Sequence, residues 1–153
     1  MIRKLAFQDY KTASEVLWKS FYYAEKNIHS LQGMETFRDL TTPVSLSISE
    51  YDGLNEFYGY FLEEKMVAVG AIKEKKHVLM LYVLPEFQGR GIGIQLLSFL
   101  ENICTSSVIT LLSSDGALEF YKKNGYFVNG PRQIKDELIG TPMKKVKKKL
   151  NIS

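Results

Sequence analysis

The stretch Leu81-Tyr82-Val83-Leu84-Pro85-Glu86-Phe87-Gln88-Gly89-Arg90-Gly91-Ile92-Gly93 sets an apolar run against three alternating glycines, and a helical pattern follows. The residues before Pro85 are apolar, branched or aromatic and end at a breaker, so they read as a strand; the pattern beyond Gly93 reads as a helix. A helix opens with N–H groups that have no partner inside it, and its dipole places partial positive charge at that end. Glycines let the main chain approach a bulky anion, because no Cβ intervenes and unusual φ values cost little. Together these parts make a cradle for phosphate oxygens. The plainer alternative is that Gly89, Gly91 and Gly93 serve only a tight turn.

Spacing narrows the cradle. A dinucleotide fingerprint needs a glycine three residues after a Gly-x-Gly pair, and those places hold Ile94 and Leu96. A nucleoside triphosphate loop needs Gly-Lys followed by Ser or Thr, and no glycine of this chain precedes a lysine. What remains, Gln88-x-x-Gly91-x-Gly93, resembles the acetyl-CoA signature (Gln or Arg)-x-x-Gly-x-(Gly or Ala) of the GCN5-related N-acetyltransferases, the GNAT family. A second family signature, Asn-x-x-Ala-x-x-Phe-Tyr-x-x-x-Gly-Phe, is matched in order by Ser114, Ala117, Phe120, Tyr121, Gly125 and Tyr126. Two signatures in sequence are far more specific than either alone.

The resemblance implies acetyl-CoA as cosubstrate, no metal, and roles for particular positions. In the family the strand before the loop runs its main chain along the pantetheine arm, and Tyr82 and Val83 match that strand. The loop amides hold the pyrophosphate, and Gln88, Gly89, Arg90, Gly91, Ile92 and Gly93 match the loop. Ser114 stands where the family often has an asparagine that touches the pantetheine; serine is shorter, with one donor instead of two. It serves equally as a helix N-cap. Val83 lies where the family strand often bulges to free an N–H for the thioester oxygen.

Acetyl transfer from a thioester needs a neutral amine as attacker, a donor for the oxyanion and a proton for the departing thiolate. Tyr121 matches the tyrosine that in many members stands by the sulfur as general acid, while a packing role beside Phe120 is the bland alternative. A lysine-like amine is mostly protonated at pH 7, so a base or a desolvating channel is wanted. Where the family often has a glutamate, this strand has Met80, which cannot take a proton. His77 at the strand's edge, Glu35, Tyr22, Tyr23 and an ordered water path all remain open for the acceptor side.

The elements that must position these groups follow from periodicity. Met1 to Leu5 reads as a short strand, and Asp9 offers an N-cap for a helix from Tyr10 to about Asn27 with Ala13, Val16, Leu17, Phe21 and Ala24 on one face. Thr42-Pro43 resembles an N-cap with proline in the first turn of a short helix. Phe57–Leu62, Met66–Ile72 and His77–Leu84 are strands joined by short charged connectors, hence antiparallel hairpins. A helix from Gly91 to about Cys104, a strand Val108–Leu112, a helix Gly116–Lys123 stopped at Asn124-Gly125, and strands Tyr126–Val128 and Met143–Lys149 complete the chain. Gly130-Pro131 and Gly140 fall in the loop between the last two strands. The expected fold is α+β, a GNAT-like, mixed but mostly antiparallel central sheet flanked by helices on both faces.

At 153 residues, 45% hydrophobic and 24% charged, the chain has the size and balance of one ordinary globular domain, 1–153. No stretch approaches the roughly 20 apolar residues of a bilayer span, and lone Cys104 forms no internal disulfide, so a cytoplasmic protein without membrane association is expected. The net charge of +3 is concentrated in Lys144, Lys145, Lys147, Lys148 and Lys149. No aromatic cluster accompanies them, so they read as a solvated tail rather than a nucleic-acid site. The partner is then an amine acceptor of unread identity, with a homodimer common in such a family. A binding module for acyl-CoA without catalysis is the alternative that Met80 favours and Tyr121 opposes.

Overall fold

The computed structural model describes residues 1–147. Helix α1 (Tyr10–Glu25) buries Ala13, Val16, Leu17 and Phe21, as their spacing of three and four requires. Ala24 is exposed instead, and Glu25 takes the inward place four residues after Phe21. Asp9 does not cap α1 with its side chain. Its carboxylate accepts from the Ala6 N–H and pairs with Arg3, both at 2.7 Å, and so closes the single 3-10 turn that feeds the helix.

Between α1 and Thr42 lies helix α2 (Leu31–Leu40), opened by Ser30, whose hydroxyl accepts from the Gly33 N–H at 3.1 Å. Helix α3 (Pro43–Tyr51) begins as the Thr42-Pro43 pair indicates: the Thr42 hydroxyl accepts from the Ser45 N–H at 3.1 Å. The strands are β1 (Ile2–Lys4), β2 (Asn55–Leu62), β3 (Lys65–Lys73), β4 (His77–Val83), β5 (Val108–Ser113), β6 (Phe127–Val128), β7 (Gln133–Lys135) and β8 (Leu138–Val146). Between them lie α4 (Ile92–Ile103) and α5 (Leu118–Lys123), the latter preceded by a 3-10 turn over Asp115–Ala117.

The strands form one sheet in the order β1-β2-β3-β4-β5-β8-β6, with β7 paired to β8. Every pairing is antiparallel except β4 with β5. One face carries α1, α2 and α3 over Leu17, Phe37, Phe57 and Val69; the other carries α4 and α5 over Ile72, Leu97, Leu100 and Met143. Burying each such side chain stabilises the fold by about 1.5–3 kcal/mol.

The C-terminal hairpin differs from the expected loop. Gly140, expected in the loop, lies inside β8, as does Pro142. Asn129 N–H donates to the Pro142 carbonyl at 3.0 Å, so the proline's missing donor falls where β6 ends and not against β5. Gly140 faces Leu112, and a Cβ there would stand 3.1 Å from that side chain. The expected strand end at Lys148 and Lys149 lies outside the described residues. Lys145 is not simply solvated: it pairs with Glu101 at 3.2 Å, and Lys147 Nζ donates to the Cys104 carbonyl at 2.6 Å. Cys104 is buried, and that burial pushes its thiol up from the ordinary value.

Candidate active site

Parallel pairing of β4 and β5 covers only His77 with Thr110 and Val78 with Leu111. Beyond that point the strands part. The register of β4 on β3 slips between Val78 and Met80, leaving Leu79 as the extra residue of a bulge, and a bulge bends its strand. The irregularity therefore sits four residues before Val83, and not at Val83 as the resemblance implied.

Val83 nevertheless has a free edge, for a different reason. Leu84 N–H donates to the Val67 carbonyl at 2.9 Å, while Val83 lies opposite Ala68 in the register. In an antiparallel ladder hydrogen-bonded and non-bonded pairs alternate. Val83 and, two residues earlier, Leu81 thus turn their main-chain groups away from β3 and toward the gap left by β5.

A cleft of about 600 Å³ occupies this gap. Tyr82, Val83, Gln88, Gly89 and Gly91 line one side of it, with Ile92 and Gly93 at the start of α4. Ser114 and Tyr121 line the opposite side. Among the residues anticipated for coenzyme A, Arg90 alone is not on the wall: it is exposed, with its guanidinium 5.0 Å from the Phe87 ring, which does line the cleft. A shallower depression of about 420 Å³ beside Lys4, Tyr10, Glu50 and Tyr51 holds none of those residues.

The loop presents unpaired backbone donors to the cleft. Gly89 and Gly91 have φ of +78° and +80°, a region where a side chain costs roughly 1–2 kcal/mol. Gly91 is the N-cap of α4 and supplies no side-chain acceptor, and the first internal bond of the helix is Gln95 N–H to the Gly91 carbonyl at 3.1 Å. The amides of Ile92, Gly93 and Ile94 are consequently without a helical partner, and all three residues face the cleft. Gly93 has ordinary helical φ, so its glycine answers a different need. A Cβ there would stand 3.5 Å from Phe120 and 3.8 Å from Val83, in the space between the two walls. A diphosphate with an attached pantetheine arm fits this donor set: unpaired amides at a positive helix end, then a strand edge with free polar groups.

Tyr121 is 7% exposed and packs edge-on against Phe120 and Tyr126, with centroids 5.2 and 5.6 Å away. Among the described residues its hydroxyl has no hydrogen-bond partner, and burial holds its pKa above the usual phenol value. Ser114 begins the 3-10 turn without a side-chain capping bond, and its hydroxyl lies against the Glu25 carboxylate on the cleft wall.

The acceptor-side alternatives separate cleanly. His77 bonds Thr110 Oγ1 at 2.7 Å outside the cleft, and burial, then Lys73 and Lys76, lower its pKa. Met80 packs into the core under α1. Glu35, Tyr22 and Tyr23 are exposed and none of them lines the cleft. What the sequence reading passed over is Glu25, buried at the end of α1 and on the cleft wall with Ser20, Tyr82, Ser114 and Tyr121. A signal existed: Glu25 follows Phe21 by four on the apolar stripe and precedes His29 by four.

Residues 25–147 match the family model for the acetyltransferase (GNAT) domain. The chain belongs to the GNAT family. As a member it is an acetyl-CoA-dependent N-acetyltransferase. A search of curated proteins found no match. Among solved structures, a GCN5-related N-acetyltransferase from Rhodopseudomonas palustris superposes with a TM-score of 0.86 at 22% identity, over 96% of this chain and 95% of the other. The PaiA N-acetyltransferase of Thermoplasma acidophilum, in complex with coenzyme A, gives 0.81 at 25% identity over 96% and 98%. A spermidine N-acetyltransferase of Vibrio cholerae gives 0.64 at 15% identity over 95% and 94%. Among the described residues no helix is long and apolar enough to cross a membrane.

Proposed function

We propose that this GNAT member transfers the acetyl group of acetyl-CoA directly to a primary amine, with residues 1–153 acting as one catalytic domain. The carrying observation is the convergence, on one cleft, of unpartnered α4 amides, the free edge of β4 and the Tyr121 hydroxyl. The amides of Ile92 and Gly93, reached through the Gly89–Gly91 turn, take the pyrophosphate. The Tyr82–Val83 edge and Ser114 take the pantetheine arm, and Arg90 adds positive charge at the mouth beside Phe87.

In the reaction the amine nitrogen bonds to the thioester carbonyl carbon and the carbonyl oxygen becomes an oxyanion. An N–H of the β4 edge stabilises that charge, at Val83 in the first instance. The carbon–sulfur bond then breaks, the thiolate takes the Tyr121 proton, and the amide product retains the acetyl group. Burial raises Tyr121, which keeps it protonated at neutral pH. The same desolvation raises a thiolate in the same cleft, so proton donation is not made hopeless.

An amine acceptor accords with the spermidine acetyltransferases among the structural neighbours. Lone, buried Cys104, with its raised pKa, is unsuited to an acetyl-thioester relay and accords with a reducing, cytoplasmic setting. Assembly as a homodimer is part of the same reading, and a nucleic-acid partner is not. The alternative of an acyl-CoA-binding module without catalysis drew on Met80, and a carboxylate on the cleft wall weakens it. Free thiol released from acetyl-CoA in the presence of primary amines tests the proposal: amine-dependent release is expected, and coenzyme A binding with no release for any amine would favour the binding module.

A further inference from the structure

We propose that Glu25 is the proton acceptor for the attacking amine, and that His29 is a positioning residue that holds the Glu25 carboxylate toward the cleft. The inference rests on the acetyltransferase reading above and names the group that reading leaves open.

Glu25 and His29 stand one helical turn apart at the end of α1, each with a side chain 3% exposed, and Glu25 Oε2 lies 3.1 Å from His29 Nδ1. The two atoms are off the alignment of a good hydrogen bond, so the imidazole limits the carboxylate by close contact in a buried setting and leaves Oε2 with bonding capacity to spare. The other imidazole nitrogen is committed: Ile139 N–H donates to His29 Nε2 at 3.0 Å. Nε2 accepts that bond, so the N–H the ring can offer to Glu25 is the one on Nδ1. Among the described residues no lysine or arginine pairs with the Glu25 carboxylate on this cleft wall, and an ammonium group is what such a site receives.

The surroundings agree. Tyr82 from β4, Ser114 and Asp115 from the turn after β5, and Tyr121 from α5 are the polar or titratable groups on the elements around it. Asp115 is already held by Arg132 through two bonds of 2.9 Å, so no free cation reaches Glu25 from that side. Burial raises the Glu25 pKa; the nearby His29 and the Ser114 hydroxyl lower it, and Asp115 raises it again. A raised carboxyl is a better match to an amine than an ordinary one.

The proton balance is complete without a co-reactant. The acceptor arrives as an ammonium ion and gives one proton to the Glu25 carboxylate, which frees the nitrogen lone pair. After the nitrogen–carbon bond forms, the nitrogen sheds its second proton to solvent. The thiolate takes the Tyr121 proton, and Tyr121 is reprotonated from water. Glu25 then releases its proton to bulk solvent, and the products are the amide, coenzyme A and one net proton.

The test is the pH profile of kcat/KM for benzylamine, cadaverine and spermidine with acetyl-CoA, for the wild type, E25Q and H29A, together with the thermal shift produced by coenzyme A. The expected E25Q deficit is about 100-fold near pH 7, shrinking to tenfold or less near pH 10, where the amine is deprotonated without help; the coenzyme A shift is retained. H29A loses less than E25Q and adds little in the E25Q background. If E25Q does not fold, E25D takes its place, with reduced rate and the wild-type acidic limb expected. A constant ratio of E25Q, or a lost limb in E25D, would overturn the role of Glu25 alone. A wild type that binds coenzyme A yet acetylates none of the amines would overturn the acetyltransferase reading and this inference with it.

Discussion

Gln88 Nε2 donates to the main-chain carbonyl of Val83 across 3.2 Å, tying the glycine loop back to the strand that precedes it. The first residue of the loop signature thus works on the protein, fixing the angle between β4 and the α4 N-terminus. Removing it in Q88A should raise KM for acetyl-CoA about threefold to tenfold, the worth of one exposed hydrogen bond, with kcat little changed. Initial rates over a range of acetyl-CoA concentrations read this directly, and an unmoved KM would mean that the tie does not organise the loop.

Gly93 points its missing side chain into the cleft between Phe120 and Val83. G93V should fold, because the added Cβ makes ordinary contacts of 3.5 and 3.8 Å, yet should weaken coenzyme A binding more than tenfold by filling the space of the ligand. Calorimetric titration with coenzyme A, alongside a melting curve, separates the two. Equal affinity for both proteins would count against the cradle.

Tyr121 lines the cleft, and among the described residues its hydroxyl has no hydrogen-bond partner. In Y121F kcat should fall by about 100-fold, while coenzyme A affinity and melting temperature stay near those of the wild type. If the tyrosine only packs against Phe120 and Tyr126, the phenyl ring will replace it without loss of rate.

Stability should reveal the cost of Glu25. Its pKa is raised in the folded state, so between the unfolded and folded values the native protein binds more protons than the unfolded chain, and stability falls as pH rises through that window. The glutamine of E25Q has no such dependence. The difference in melting temperature, variant minus wild type, should therefore grow in the variant's favour as pH rises above the ordinary glutamate value of about 4.3. A difference that stays flat would show that burial does not strain the carboxylate.

Much of the site was legible because its causes are local. The alternating glycines, the proline that ends β4 and the Phe120-Tyr121 pair announce themselves by residue type and spacing, as does the Thr42-Pro43 helix start. What the sequence concealed depends on the partner strand or on distant contacts. Whether Val83 has a free N–H is decided by its register against Ala68, and the displaced bulge at Leu79 is visible only in that pairing. Pro142 and Gly140 read as loop until β6 stops short and lets the strand run through them. Nothing in the sequence singles out Glu25 beyond its place on the α1 stripe, and only the fold brings the Ile139 amide to His29, 110 residues along the chain.

The central claim is that this cleft carries acetyl from coenzyme A to an amine in one step. Mass spectrometry of a single turnover, with enzyme in excess over acetyl-CoA and a primary amine present, measures that claim most directly. The account predicts equal amounts of N-acetylated amine and free coenzyme A, with the protein mass unchanged throughout. Coenzyme A release without acetylated amine, or an acetyl group retained on Cys104, would contradict it.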